Sequence, residues 1–433
     1  MGFSGGADST ALLHALNEIQ ARLTTPISAV HVNHGLHDDA GIWQTHCEGF
    51  CRHLGIRIHS LKIDVNPNSG KGIEAEARRL RYAAINTLLK PGDTLLTAHH
   101  ADDQAETLLL NLMRGSGVDG LSAMPAHRPL GDGILLRPLL SFQNSALIQY
   151  LNENRLEWLN DPSNALLDQD RNFIRHSVIP MLESRWPEIS KRLLLTRKAM
   201  SEARLLLEKT ADEYLRKNQP GAFVLRLTSS ICGEPALFKL ATRRWLKHSG
   251  APPIPAYRLE TLFSQVQHAQ SGHKVVVNWD DWCIRLYRQQ LWLLEDDPVP
   301  DCPTGSWPDG MHKVDLGVEL GMLSFEGKHQ QNPGAGLSFG NRNSIGQDTL
   351  LQGQHHKSLK NLFQSAGIPP WLRNSIPLCL LNDELIALGD WSFSDSFKSW
   401  MSENEIALKW TPQSPLLRYV RKQQKTGTDN TRG

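Results

Sequence analysis

The sequence predicts an α/β protein with a parallel-sheet domain first, then a helical linker and two smaller C-terminal domains. Three observations predict it. Strand-like and helix-like runs of βαβ size alternate through the first hundred or so positions. Three polar stretches, 4–9, 31–36 and 97–107, fall at strand carboxyl ends, where sheets of this kind bind ligands. After position 190 the composition turns basic, and later becomes rich in Pro, Gly, Asn and Gln.

The first stretch is Ser4-Gly5-Gly6-Ala7-Asp8-Ser9. Two adjacent glycines let a backbone approach an anion and expose successive N–H groups. The apolar run Ala11–Leu16 reads as a helix, placing Ser9 and Thr10 at an N-terminus suited to phosphate. An ordinary Gly turn with a polar cap explains the same residues. No GxxxxGK[ST] follows, so this is not a Walker loop.

A buried strand over 27–32 ends at Asn33-His34-Gly35-Leu36, followed by a helix over 42–54 and a strand over 57–65. An amphipathic helix over 74–89 carries Arg78 and Arg81 on one face, either as a phosphate fork or as surface partners of Glu74. A strand over 93–98 then runs into His99. Right-handed crossovers join such strands into a parallel sheet.

The densest polar group is Thr97-Ala98-His99-His100-Ala101-Asp102-Asp103-Gln104-Ala105-Glu106-Thr107, which opens another helix. Asp102 and Asp103 suit an N-cap and a first turn. Asp103 and Glu106, three apart, share a helix face that could hold a metal or an ammonium ion. The HExxH spacing of a zinc site is absent. Arg114-Gly115-Ser116-Gly117 adds a basic, Gly-rich loop.

Residues 191–217 read as a basic linker helix and 218–297 as a mostly helical middle domain, with a hairpin around 274–278 and 283–294. Its Trp279, Trp282 and Trp292 serve either base stacking or a core. Residues 298–350 read as a loose connection, 351–420 as a C-terminal domain and 421–433 as a disordered tail. Lys357, Lys360, Trp371 and Arg373 cluster near the Pro369-Pro370 turn.

At 433 residues, 40% hydrophobic and 21% charged, the chain has material for two to four domains of roughly 100–200 residues each. Net charge is +1, but residues 191–250 carry an excess of +8 and residues 1–150 a balance of −2. That excess is either a phosphate-binding face or a solvated helix. No apolar run approaches the ~20 residues that cross a bilayer, and no signal peptide is visible, so a cytoplasmic location is expected. The six cysteines include no CxxC, and Cys47 and Cys51, four apart, read as core thiols.

The motifs SGGADS, HVNHGL, GIEAEARRLRY, TAHHADDQAETLLLNLMRGSG and DRNFIRHSVIPML together resemble the bacterial tRNA(Ile)-lysidine synthetase family across residues 2–190. A weaker likeness continues over 357–380. The family belongs to the N-type PP-loop ATP pyrophosphatases, which implies a Rossmann-like, adenine nucleotide alpha hydrolase-like fold. It also implies adenylation of the C2 oxygen of the wobble cytidine in the CAU anticodon of tRNA(Ile), followed by displacement of AMP by the ε-amine of free lysine. By resemblance, Ser4, Gly5, Gly6, Ala7, Asp8, Ser9 and His34 bind ATP, and Asp8 and Asp103 hold magnesium and serve acid–base chemistry. Glu106 holds or deprotonates the lysine ammonium, and Arg78 contacts phosphate or charge on the activated base. Arg171, Asn172 and Arg175 close over the site or contact tRNA, with Lys357, Lys360 and Arg373 as further tRNA contacts. No membrane partner is implied, and a homodimer is admitted. Replacing Asp103 by Asn is expected to abolish AMP formation with little loss of folding.

Adenylation makes the oxygen a good leaving group, so no enzyme nucleophile is needed and none is evident. The alternatives are another PP-loop tRNA-modifying enzyme such as a thiolase, which would want paired reactive cysteines, or a non-catalytic tRNA-binding relative. One departure stands out. The family carries a hydrophobic strand before SGG, where this sequence has only Met1-Gly2-Phe3. Its loss is expected to expose neighbouring strand edges and loosen the loop.

Overall fold

The computed structural model describes all residues except 36, 38, 66–72, 163–168, 270–274, 296–298, 328–333, 335, 346–348, 353–354 and 430–433. Leu36, Gly72 and Lys274, named above, lie outside the described residues. The chain forms two units, 1–206 and 207–433.

The first unit runs α1 (Ala7–Glu18), β1 (Ser28–Asn33), α2 (Ala40–His53), β2 (Arg57–Lys62), α3 (Ile73–Asn86), β3 (Thr94–Leu96) and α4 (Ala101–Met113). It continues through α5 (Val118–Leu121), β4 (His127–Leu130), β5 (Gly133–Leu136), α6 (Asn144–Glu153), α7 (Asp170–Phe173), a π-type turn at Ile174–Val178, α8 (Ile179–Arg185) and the start of α9 (Ile189–Asn218). β1 pairs parallel with β2, and β3 pairs parallel with β5, with β4 antiparallel at the edge. The expected parallel sheet is therefore present.

Met1–Phe3 lies between β1 and β3. Phe3 N–H donates to Val30 O, Val30 N–H to Met1 O, and Gly2 N–H to Leu96 O. Three residues thus satisfy backbone groups of both neighbours, and these edges are not left open as the sequence had suggested. One core gathers Phe3, Leu12, Leu13, Leu16, Ala29, Cys47 and Cys51; another joins Ile85 of α3 to Val30, Leu95 and Leu135. The two thiols are core side chains, as expected, and burial pushes them up to about 12 and about 11.

In the second unit, β6 (Val224–Arg226), β7 (Val276–Trp279), β8 (Trp282–Tyr287) and β9 (Gln290–Glu295) form a sheet in the order β6-β9-β8-β7. The helices α10 (Ser229–Cys232), α11 (Pro235–His248) and α12 (Ala256–His268) contribute Phe238, Trp245 and Leu259 to its core. Trp279 is buried with Trp282 packed against the same core, and Trp292 is buried in the neighbouring cluster, so these rings serve packing rather than base stacking. Part of the basic excess is also neutralised internally, since Arg244 forks onto Asp212.

Residues 298–350 are not a loose connection. β10 (Gly305–Ser306), β11 (Lys313–Asp315), β12 (Met322–Gly327) and β13 (Leu337–Gly340) enter the sheets of the C-terminal domain. β12 pairs with β19 (Ile406–Thr411), and β13 pairs with β16 (Leu378–Leu381), whose other neighbour is β17 (Glu384–Leu388). The reason is apolar: Trp307, Leu323, Phe325, Leu337 and Phe339 share one core with Leu378, Ile386 and Trp410. Between them lie β14 (Thr349–Gln352), β15 (His355–Ser358) and the helix Leu359–Ser365. Residues 421–429, expected in a disordered tail, continue the final helix, Pro415–Asp429. Arg421 and Lys425 from that helix pair with Asp390, whose side chain is 0% exposed.

Candidate active site

The loop from Ser4 to Ser9 turns between the Met1–Phe3 segment and α1. Gly5 has φ +82°, a region that favours glycine, and a Cβ there would stand 2.8 Å from Leu159 Cδ1 and 3.0 Å from Cys47 Sγ. Leu159 N–H donates to Gly5 O at 2.9 Å, so a backbone strap from beyond α6 braces the loop. Ser9 Oγ donates to Gly6 O and Thr10 Oγ1 to Gly5 O, fixing the turn from inside. No side chain caps α1, whose first-turn N–H groups remain for an anion.

His100 is buried where α4 begins. Its Nε2 lies 3.5 Å from Asp8 Oδ2 and 3.6 Å from Asp103 Oδ2, and its Nδ1 lies 3.3 Å from Asp102 Oδ2 without hydrogen-bond alignment. Burial pulls the imidazole down, but Asp102, Asp8 and Asp103 outweigh it and push it up to about 10. Asn144 ties the same group together, its side chain donating to Asp8 Oδ1 and its backbone N–H to Asp102 Oδ2. Asp103 also accepts from the His100 N–H, so it caps α4 as well as facing the site.

Asp103 and Glu106 do share a face, and two arginines cover it. Arg171 reaches Asp103 Oδ1 and Glu106 Oε2, each at 2.9 Å. Arg175 reaches Asp103 Oδ1 at 3.1 Å and Glu106 Oε1 at 2.5 Å. Glu106 is 1% exposed, a burial that carboxylates tolerate only when paired. Arg171 and Arg175 thus cover the face shared by Asp103 and Glu106, while Asn172 is buried, toward Gln169.

His34 follows β1, and its Nε2 lies 3.0 Å from Arg81 Nη2. Burial, then Arg81 and His31, lower it to about 4, so the neutral ring accepts. His99 is lowered to about 4, by burial first and then by Arg137, Arg78 and Arg171 against the pull of Asp103. Arg78 stands over the Tyr82 ring at 5.4 Å. The side chain of Glu74, its alternative partner, lies outside the described residues.

In the second unit Lys357 and Lys360 are exposed, but Arg373 is only 9% exposed. Its Nε donates to Ile368 O and its guanidinium lies over Phe363. Arg373 is therefore part of the domain's packing and not of an RNA-gripping face. Sequence reasoning missed Asn144, Leu159 and the central place of His100. The first two carry no local signal, because their partners lie far away in sequence.

Magnesium is implied by the resemblance. Asp8 fits it, having a half-exposed carboxylate beside a loop that can present phosphate oxygens, the donor set that ion favours. Asp103 does not fit in this arrangement, since it is nearly enclosed and its Oδ1 faces the guanidinium groups of both Arg171 and Arg175. Among the described residues, no helix is long and apolar enough to cross a membrane.

The chain matches three family models, described as a PP-loop domain over residues 1–182, a TilS substrate binding domain over 234–292 and a TilS substrate C-terminal domain over 338–410. Among curated relatives, the tRNA(Ile)-lysidine synthase of Alkalilimnicola ehrlichii is 39% identical over 400 residues, covering 90% of this chain and 88% of that one. Those of Xanthomonas campestris pv. campestris and Methylococcus capsulatus are 35% and 34% identical, each covering 95% of both chains. With a braced phosphate loop, a carboxylate cluster at the neighbouring strand end and these matches along its length, the chain belongs to the tRNA(Ile)-lysidine synthase family.

Proposed function

We propose that the protein is a ligase that uses ATP to join free lysine to C2 of the wobble cytidine of tRNA(Ile) with a CAU anticodon, changing its codon specificity from AUG to AUA. The observation that carries this reading is the juxtaposition of Asp8, at the start of α1, with the His100, Asp102 and Asp103 cluster at the start of α4. It sets a phosphate loop beside charged groups at adjoining strand ends.

The uncapped N-terminus of α1 and the N–H groups of the loop hold the phosphates of ATP and then the departing pyrophosphate. Asp8 would hold magnesium, which would supply charge neutralisation at the phosphates. The cytidine C2 oxygen attacks the α-phosphate, and the lysine amine then displaces AMP. Glu106 orients the lysine ammonium once Arg171 and Arg175 exchange it for the incoming cation. Asp103 accepts a proton from the amine in the same exchange. Exposed Lys357 and Lys360 contribute to gripping the tRNA. A thiolase reading wants reactive sulfur near the loop, whereas Cys47 and Cys51 are buried and held protonated.

Radiolabelled lysine, ATP, magnesium and a CAU-anticodon tRNA(Ile) transcript test the proposal. Label is expected in the RNA with one AMP released per lysine transferred. No incorporation by the full chain overturns it.

A further inference from the structure

A second cluster of cations lies next to the site, and none of the chemistry above uses all of it. Arg137 directly follows β5, whose neighbour in the sheet is β3, the strand that leads into His99. It is 4% exposed. Its Nη1 donates to Pro125 O, while its Nε is buried with no hydrogen-bond partner. Arg128 on β4 and Arg78 on α3 both stand over the ring of Tyr82, at 5.2 and 5.4 Å, and both lie close enough to Arg137 to disfavour its charge. The titratable groups facing Arg137 are these two arginines, the Tyr82 hydroxyl and His99. Arg128 donates to Pro129 O. Among the described residues no carboxylate pairs with any of the three.

A buried guanidinium with arginines as neighbours and no counter-ion is costly to fold around. The sheet nevertheless places it at a strand carboxyl end, on the side where the phosphate loop lies. The segment holding the loop and β5 flank β3 on opposite sides, two ordinary strand spacings of about 5 Å apart, so Arg137 leaves the sheet beside the loop.

We propose that Arg78, Arg128 and Arg137 form a second anion site that takes a backbone phosphate of the RNA substrate and thereby seats the target nucleotide against the loop. The inference rests on the reading that the substrate is RNA. Guanidinium forks match phosphate oxygens in pairs, and the orphaned Arg137 Nε supplies a donor that the fold leaves unused. Arg78 and Arg128 each pack against the Tyr82 ring, which restrains both side chains.

The test uses the full-length enzyme, the tRNA(Ile) transcript and ATP, with Arg128→Gln as the principal variant because Arg128 is half-exposed. Expected are tRNA binding weakened about three- to tenfold and a plot of log affinity against log salt shallower by about 0.7–0.9, the loss of one phosphate contact. ATP affinity stays unchanged. Arg137→Lys, which keeps charge but loses the fork, is expected to weaken tRNA binding by a similar factor with the salt slope retained, at an unchanged melting temperature. Should Arg137→Lys unfold, Arg128→Gln decides alone. Weaker ATP binding with intact tRNA binding would assign the site to the nucleotide and overturn the proposal; unchanged affinity and slope for both ligands would overturn it as well. Failure of the parent enzyme to transfer lysine would instead count against the functional reading, since the salt slopes are measured without turnover.

Discussion

Arg175 Nε stands 2.5 Å from Glu106 Oε1, with Arg171 on the other carboxylate oxygen at 2.9 Å. A carboxylate held this way offers its charge to an incoming ammonium only by exchanging one cation for another. The two arginines therefore have a structural task, neutralising Asp103 and Glu106 in the absence of substrate.

Removing one of them exposes that task. Arg175→Gln leaves buried carboxylate charge underpaired and is expected to lower stability by about 2–4 kcal/mol, less than for a fully enclosed pair because Arg175 is partly exposed. Arg175→Lys restores only part, since one ammonium cannot fork across both acids. Urea midpoints of the three proteins check the order.

Asp103→Asn, which the sequence alone makes a purely chemical lesion, is expected to lose AMP formation and stability together. Its carboxylate caps α4 and pairs with Arg171 and Arg175. Turnover with CAU tRNA and thermal melting measure the two losses; full turnover would remove Asp103 from the mechanism.

Gly5→Ala places a side chain in a left-handed conformation against Leu159 and Cys47. A cost of about 1–2 kcal/mol follows from the backbone alone. The KM for ATP is expected to rise at least tenfold as the loop shifts, and steady-state kinetics read this directly.

The stability profile is bounded by histidines on both sides. His100 rises from 6.5 to about 10 on folding, so its contribution is complete below 6.5, declines above that value and is gone beyond 10. His34 and His99 fall from 6.5 to about 4, so their contributions are complete above 6.5 and are lost as pH falls through 4. Urea midpoints are expected to drop on either side of neutrality. His100→Asn is expected to flatten the alkaline limb.

Deleting residues 421–433 is expected to destabilise the C-terminal domain, because Asp390 then keeps a buried charge without Arg421 or Lys425. Arg421→Ala alone is expected to cost about 3–5 kcal/mol. Limited proteolysis of the second unit checks both.

What was legible in the sequence was local. Asp103 and Glu106 meet on one face because helical spacing is a short-range property, and the glycine pair marks its own turn. The arginines that close the site stand more than sixty residues away, and only the DRNFIR motif pointed to them. Periodicity failed over 298–350, where strands as short as β10 (two residues) hide the alternation that buries Trp307, Phe325 and Phe339. Arg373 was misread because an arginine beside a proline turn looks the same in sequence whether its head reaches solvent or lies over Phe363.

The strap from Leu159 to Gly5 also sets an order in time. The Ser4–Ser9 loop lacks its brace until residue 159 has been synthesised, roughly 8–30 s later at ordinary elongation rates. Such long-range closure is slow and entropically costly, so the nucleotide site matures late although its residues come first. A nascent chain shorter than this carries the glycines without the means to position them.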